Sequence, residues 1–400
     1  MSKFIMNKKY CAIPWSEVHI DNDGTYRSCG SQYSQKTVGS AYNVFNMSIE
    51  EWMSSDYQLK ARQNKLDGIT EPLCRSCYQE DEIGADSKRS RELLKYPIIP
   101  EEYLIPTLAQ LPRSYHLLLG NECNLACKMC HPKASSRLAI EWAQRGEWPH
   151  AIRQNWTGNE EAWRMVIDTI LRAEKLEYVH LIGGEPLVNP RVGQLIDTLY
   201  KAGRTDIYIG FTTNATIFDK KILDQLQVFR HVDIGVSVDA TGDLNDFIRT
   251  GSNTEEILNN IEKYLSYRDP GHVYVVLRTV PSALSVHGLD KLYHWAVEKE
   301  LDVMSTFLDN PSYLTINQLP ANIKDRLLEQ YSHWQYSDRI VVGNNRDPNY
   351  YKEHIDNEIR GICKMLERPN DPVLTEKLYK RLKDWGAFDL PEIQKYFFID

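Results

Sequence analysis

The chain has 400 residues, room for one large α/β domain with a smaller unit beside it, and its 42% hydrophobic and 26% charged residues are the balance of a folding rather than a disordered protein. A net charge of −8 with no dense basic run argues against a nucleic-acid-coating role. No apolar run approaches the roughly 20 residues a membrane helix needs, so no membrane-spanning role is expected.

The N-terminal MSKFIMNKKYC has lysines but no apolar stretch behind them, so neither a secretion signal nor a transit peptide is expected, and the cytoplasm is the expected location. Eight cysteines stand at Cys11, Cys29, Cys74, Cys77, Cys123, Cys127, Cys130 and Cys363; in a reducing compartment, clustered thiols more often bind metal or do chemistry than form disulfides. The first hundred residues read as irregular, with short strands at 17–20 and 25–28, a helical stretch at 49–66, and CRSC at 74–77. Closely spaced prolines make 98–112 a connector.

From Tyr115 short apolar strands alternate with longer amphipathic stretches. Strands are predicted at 115–119, 176–182, 206–212, 232–238, 273–278 and 302–307, and helices at 133–145, 160–173, 191–202, 220–229, 254–267 and 288–298. Six strands joined by helices call for a parallel sheet with right-handed crossovers, packed as a partial (β/α)6 barrel with functional residues at the strands' C-terminal ends. The tail, 323–400, reads as helical and polar with aromatic anchors at Trp334, Trp385 and Phe397. Three regions result: a cysteine-rich unit and connector (1–112), the barrel core (113–310) and a helical C-terminal extension (311–400).

The sharpest motif is CNLACKMC, which places Cys123, Cys127 and Cys130 as CxxxCxxC directly after the first barrel strand. Thiolates bind [4Fe-4S] clusters, and three on one loop leave the fourth iron without a protein ligand. A zinc knuckle or buried idle thiols are the competing readings. IGGEPLVNP follows the second barrel strand; its glycines allow close backbone approach to a ligand, and its carboxylate can accept a hydrogen bond from an ammonium group, although alone it would pass for a strand-to-helix turn.

On these residues the region from about 115 to 308 resembles the core of the radical S-adenosylmethionine (SAM) superfamily. The resemblance implies a [4Fe-4S] cluster on Cys123, Cys127 and Cys130, whose open iron is chelated by the methionyl amine and carboxylate of SAM. One-electron reduction then gives methionine and a 5′-deoxyadenosyl radical that abstracts hydrogen from a substrate. Gly183, Gly184, Glu185 and Pro186 match the family's GGEP element, which holds the methionyl amine. Thr213 and Asn214 in FTTNAT, and Ser237 and Asp239 in VSVDA, stand where short polar side chains suit the ribose hydroxyls and the carboxylate. Arg249 matches the arginine that pairs with the methionyl carboxylate, for which a guanidinium fork is suited. The alternative for each of these five is a solvated turn residue. Met129 replaces the aromatic residue usual before the third cysteine, where the adenine contact is partly through backbone. In LRTVPSALSVHGL, Ser285 stands where relatives often carry Asn, leaving an adenine contact to Val286. Arg278 reads equally as a substrate contact or a structural salt bridge.

YCAIPW at Cys11, the DNDG turn leading to Cys29 and CRSCYQE at Cys74 and Cys77 resemble the SPASM and twitch auxiliary modules, here placed before the barrel. That resemblance implies a second, fully ligated [4Fe-4S] cluster; four-cysteine zinc is the alternative. Cys363 reads as a free core thiol, His116, His180, His231 and His272 as packing or hydrogen-bonded residues, and His131 as a neighbour able to tune the cluster. The implied activity is a SAM-dependent enzyme acting on a peptide or ribosomally made precursor, fed by a reductant such as flavodoxin or ferredoxin. The alternatives are a small-molecule or nucleoside substrate, and a non-catalytic iron–sulfur carrier or scaffold.

Overall fold

A computed structural model describes residues 9–30, 41–84, 87–96, 98–107, 111–149, 155–332 and 348–397. One mostly parallel sheet runs through them, with strands β1 (Glu17–Ile20), β2 (Tyr26–Arg27), β3 (Ser114–Leu118), β4 (Tyr178–Ile182), β5 (Tyr208–Thr213), β6 (His231–Ser237), β7 (Val273–Thr279) and β8 (Asp302–Ser305) in the order β2-β1-β3-β4-β5-β6-β7-β8. The last six are the predicted barrel strands, shifted by at most two residues at an end, and all pair in parallel. An eight-stranded α/β sheet of this kind is consistent with a partial barrel.

The sheet does not begin where the sequence suggested. β1 lies parallel against β3, from Glu17 opposite Ser114 to Ile20 opposite Leu117, and β2 folds back antiparallel on its outer side. Every residue of β1 is buried, as suits a strand covered on both faces. The predicted stretch 49–66 is two helices, Ile49–Met53 and Asp56–Leu66, because Ser55 accepts a hydrogen bond from Gln58 N and restarts the helix as an N-cap.

Period-two patterning divides the strands. Val179, Leu181, Ile209, Phe211, Val232, Ile234 and Val236 join one apolar core with Val166 and Ile170 of helix Glu160–Arg172, Leu195 and Leu199 of helix Arg191–Lys201, and Ile257 and Ile261 of helix Thr254–Leu265. The intervening positions include the polar His116, His180, Thr212, Asp233 and Arg278 along with Gly210 and Gly235. Arg278, read equally as a substrate contact or a structural salt bridge, thus stands on this polar face. It packs over Gly235 and donates from Nη1 to Met304 Sδ at 3.0 Å, on the same face as Asp233.

The four histidines read as packing or bonded residues all have partners. His116 faces Glu17, His180 lies 2.6 Å from Tyr178 Oη and 3.2 Å from Thr212 Oγ1, His231 faces Asp233, and His272 Nε2 lies 2.8 Å from Phe229 O. Helices Ala321–Ser332, Pro348–Glu367, Pro372–Asp384 and Pro391–Phe397 cover the C-terminal side, and Ile323, Ile362, Leu378 and Ile393 enter the same core. Phe397 is buried there and Trp385 and Cys363 pack against it; Trp334 lies outside the described residues. No described helix is long and apolar enough to cross a membrane.

Glu17 shows how the N-terminal segment is tied to the barrel. Its carboxylate meets Lys88 Nζ at 2.6 Å and His116 Nε2 at 3.0 Å. Burial alone would raise its pKa, but these two partners outweigh burial and hold it well below the usual carboxylate range. A depressed folded-state pKa stabilises the fold above the unfolded value of about 4.3, and that contribution is lost as pH falls through the lower, folded value. Glu17→Gln is therefore expected to lower stability by about 2 kcal/mol at pH 7 in urea unfolding, less than for a fully buried pair because Lys88 keeps some exposure. The gap between variant and parent should close below about pH 4; a gap independent of pH would sink this account.

Candidate active site

The loops after β3 and β4 are laced together by backbone. Leu119 N donates to Ile182 O at 2.9 Å, Gly184 N to Gly120 O at 2.8 Å, and Glu185 N to Glu122 O at 2.8 Å. The two glycines permit this. A Cβ on Gly183, whose φ is +143°, would meet Gly120 O at 2.7 Å, and one on Gly184 would meet Glu122 O at 2.1 Å. The cysteine loop begins at the next residue and is pinned on its far side, with Ala126 N donating to Thr250 O and Lys128 N to Ile248 O, each at 2.9 Å. Arg249 is thus held between two backbone staples. Within the loop, Cys130 N donates to Cys127 O at 3.0 Å and Ser135 Oγ to Leu125 O at 2.6 Å.

These connections create an open cleft of about 510 Å³ at the C-terminal ends of the strands. Cys123, Cys127, Met129, Cys130, Gly183, Gly184, Thr213, Asn214, Ser237 and Arg249 all border it. Burial pushes the Cys123 thiol up to about 12 and raises Cys127 and Cys130 as well, so these are not free nucleophiles; a bound cation is what would make them thiolates. Asn214 is set by its side chain, Nδ2 donating to Asn124 Oδ1 at 2.9 Å. Arg249 Nη2 pairs with Asp239 Oδ2 at 2.8 Å, while its buried Nε makes no hydrogen bond. An unmatched guanidinium N–H beside three thiols fits an anionic ligand group such as a carboxylate.

Four of the residues singled out from the sequence do not border the cleft. Glu185 is 2% exposed, and its carboxylate accepts from Thr213 Oγ1 (2.8 Å), Asn214 N (2.7 Å) and Leu187 N (3.1 Å). It arranges the end of β5 and caps the turn Pro186–Val188, where Pro186 is also buried. Asp239 is fully buried, accepting from Val280 N at 2.7 Å and pairing with Arg249. Val286 is fully buried, its carbonyl taken by the Tyr331 hydroxyl. His131 does border the cleft, but its Nδ1 accepts from Lys133 N at 3.2 Å.

Other cleft residues had escaped the sequence reading. Thr306, Phe307, Leu308, Asp309 and Asn310 follow β8, where the strand-end rule points. Ser76 and Glu80 arrive from helix Arg75–Ile83, and burial pushes the Glu80 carboxyl up to about 7. Their signal was the CRSCYQE motif itself, though only the fold shows that it reaches the barrel mouth.

Cys11, Cys29, Cys74 and Cys77 come together around a separate pocket of about 30 Å³. Lys65 Nζ, inside it, donates to Cys74 Sγ at 3.1 Å. Among the described residues, no three His, Cys, Asp or Glu side chains stand together as ligands of a single metal ion.

The Radical SAM superfamily profile matches residues 117–281. The mycofactocin maturase MftC of Mycobacterium tuberculosis (strain H37Rv) is 31% identical over 134 residues, 32% of this chain and 29% of the maturase, so the match spans under a third of that relative. The solved structure of anSMEcpe with bound AdoMet and Cp18Cys peptide aligns at 16% identity and a TM-score of 0.40, over 54% of this chain and 57% of that one. Streptococcus suis SuiB bound to precursor peptide SuiA aligns at 15% identity and a TM-score of 0.40, over 69% and 62%.

Proposed function

We propose that the chain, whose residues 117–281 match the Radical SAM superfamily, cleaves SAM reductively at a [4Fe-4S] cluster held by Cys123, Cys127 and Cys130 and abstracts hydrogen from a peptide. The observation that carries this is the convergence of three thiols, two close-packed glycines and a half-matched arginine on one cleft. When bound, the cluster and SAM supply the electron and the carbon radical. The chain's own residues do the placing. Arg249, whose Nη2 is paired with Asp239, would offer Nε to the methionyl carboxylate. Gly183 and Gly184 keep backbone close to the methionyl end, and Glu185 shapes Thr213 and Asn214, which border the nucleoside. Met129 supports the adenine.

A peptide substrate is supported by a groove of about 210 Å³ beside the cleft, which shares Ser76, Glu80, Phe307, Leu308 and Asp309 with it. MftC, which a 134-residue stretch of this chain resembles, is itself a maturase. For the N-terminal pocket we favour a second [4Fe-4S] cluster over zinc. Cys11, Cys29, Cys74 and Cys77 all line that pocket, enough thiolates to ligate such a cluster fully. A flavodoxin or ferredoxin would supply electrons.

Anaerobically reconstituted protein given dithionite and SAM should release 5′-deoxyadenosine, and a peptide pool rather than a metabolite extract should be consumed with it. About eight irons per chain are expected. No 5′-deoxyadenosine from fully loaded protein would defeat the enzymatic reading, and about four irons with one zinc would defeat the two-cluster reading.

A further inference from the structure

The pocket of four N-terminal cysteines also encloses a lysine. Lys65, on helix Asp56–Leu66, is 1% exposed. Its Nζ lies 3.1 Å from Cys74 Sγ, 3.5 Å from Tyr78 Oη and 3.6 Å from Glu71 Oε2. A lysine is almost never buried without compensating negative charge. Glu71 supplies one carboxylate, itself 18% exposed. Neutral thiols add no charge to balance the ammonium, whereas thiolates ligating a metal group do.

The barrel cleft is built differently. The donors to Cys123 Sγ are neutral amides, Leu125 N at 3.4 Å and Asn214 Nδ2 at 3.9 Å, and the cation beside these thiols, Arg249, is already paired with Asp239. Charge-assisted hydrogen bonds are roughly twice as strong as neutral ones. Hydrogen bonds to sulfur and local net charge are among the features that set an iron–sulfur group's reduction potential. Adding one electron, here from a chemical reductant, leaves such a site one charge more negative, and a buried ammonium on a ligand sulfur favours that reduced state.

We propose that Lys65, through its hydrogen bond to Cys74 Sγ, raises the reduction potential of an iron–sulfur group held by Cys11, Cys29, Cys74 and Cys77. Lys65 is in this sense a positioning residue that acts through a ligand, and the inference rests on the two-cluster reading above. Glu71 opposes it by partly neutralising the ammonium.

The test uses full-length protein in which Cys123, Cys127 and Cys130 are replaced by alanine, so that only the N-terminal site is seen. Iron content is measured first, then the midpoint by dithionite titration followed by electron paramagnetic resonance. In this background Lys65→Gln should lower the reduced-to-oxidised ratio at a given potential about tenfold, which is about 59 mV for a one-electron couple. Lys65→Arg, which keeps the charge, should stay close to the parent, and Glu71→Gln should move the midpoint upward. Iron bound normally with unmoved midpoints in both Lys65→Gln and Glu71→Gln overturns the inference alone. Zinc, or no iron, in the background protein overturns the two-cluster reading and the inference with it. If Lys65→Gln does not retain iron, an unmoved midpoint in Glu71→Gln is decisive against the inference.

Discussion

Cys127→Ala is expected to reduce 5′-deoxyadenosine formation by more than about 100-fold while leaving the protein folded. The lower bound comes from supporting partners of metal ligands, whose loss already costs up to about that factor; a direct ligand should cost more. The loop's shape does not depend on the thiol. Cys127 contributes its carbonyl to Cys130 N, and the neighbouring residues are stapled through Thr250 and Ile248, all by backbone. Circular dichroism and the melting temperature should therefore stay near the parent's, and iron should fall from about eight to about four per chain. Retained turnover would reject Cys127 as a ligand, and loss of all iron would show that the two sites do not load independently.

A second large effect is expected where no thiol is touched. In Gly184→Ala the new Cβ would stand 2.1 Å from Glu122 O and 2.5 Å from Glu122 C. Both are main-chain atoms, so no rotamer change relieves the clash; the bonds Gly184 N to Gly120 O and Glu185 N to Glu122 O must break or the loop must shift. A cost of about 3 kcal/mol is expected in urea unfolding. Because Glu122 precedes Cys123, the displaced loop should also lose its iron. Gly193→Ala is the matched control: it lies inside helix Arg191–Lys201 with nothing within 4 Å of its added Cβ, and should be neutral or stabilising by up to about 1 kcal/mol. If the two substitutions behaved alike, the close backbone approach would not be what requires Gly184.

Much of the barrel was legible because its signals are local. Alternation such as Val232, Ile234 and Val236, and helical spacing such as Leu195 and Leu199, mark each element and its buried face without reference to distant residues. Partnership is not local. β1 reads as a strand, but nothing in Glu17–Ile20 says that it lies against residues 114–117, almost a hundred positions on. The same limit applied at the site. Glu185 and Asp239 stand at strand ends where ligand contacts are expected, yet both turn inward to collect backbone N–H groups of residues brought close by the fold, Asn214 and Val280. Arg278 needed only its parity, which the pairing of Ser237 with Arg278 supplies.

The pairing of β1 with β3 bears on any attempt to divide this protein. A fragment starting near Arg113 would present the flank of β3 bare, a row of unpaired amides and carbonyls inviting other chains to add on. The segment carrying Cys11 and Cys29 thus contributes a stave to the sheet and is not a detachable cassette, and shuffling it between scaffolds would have to carry its strand along.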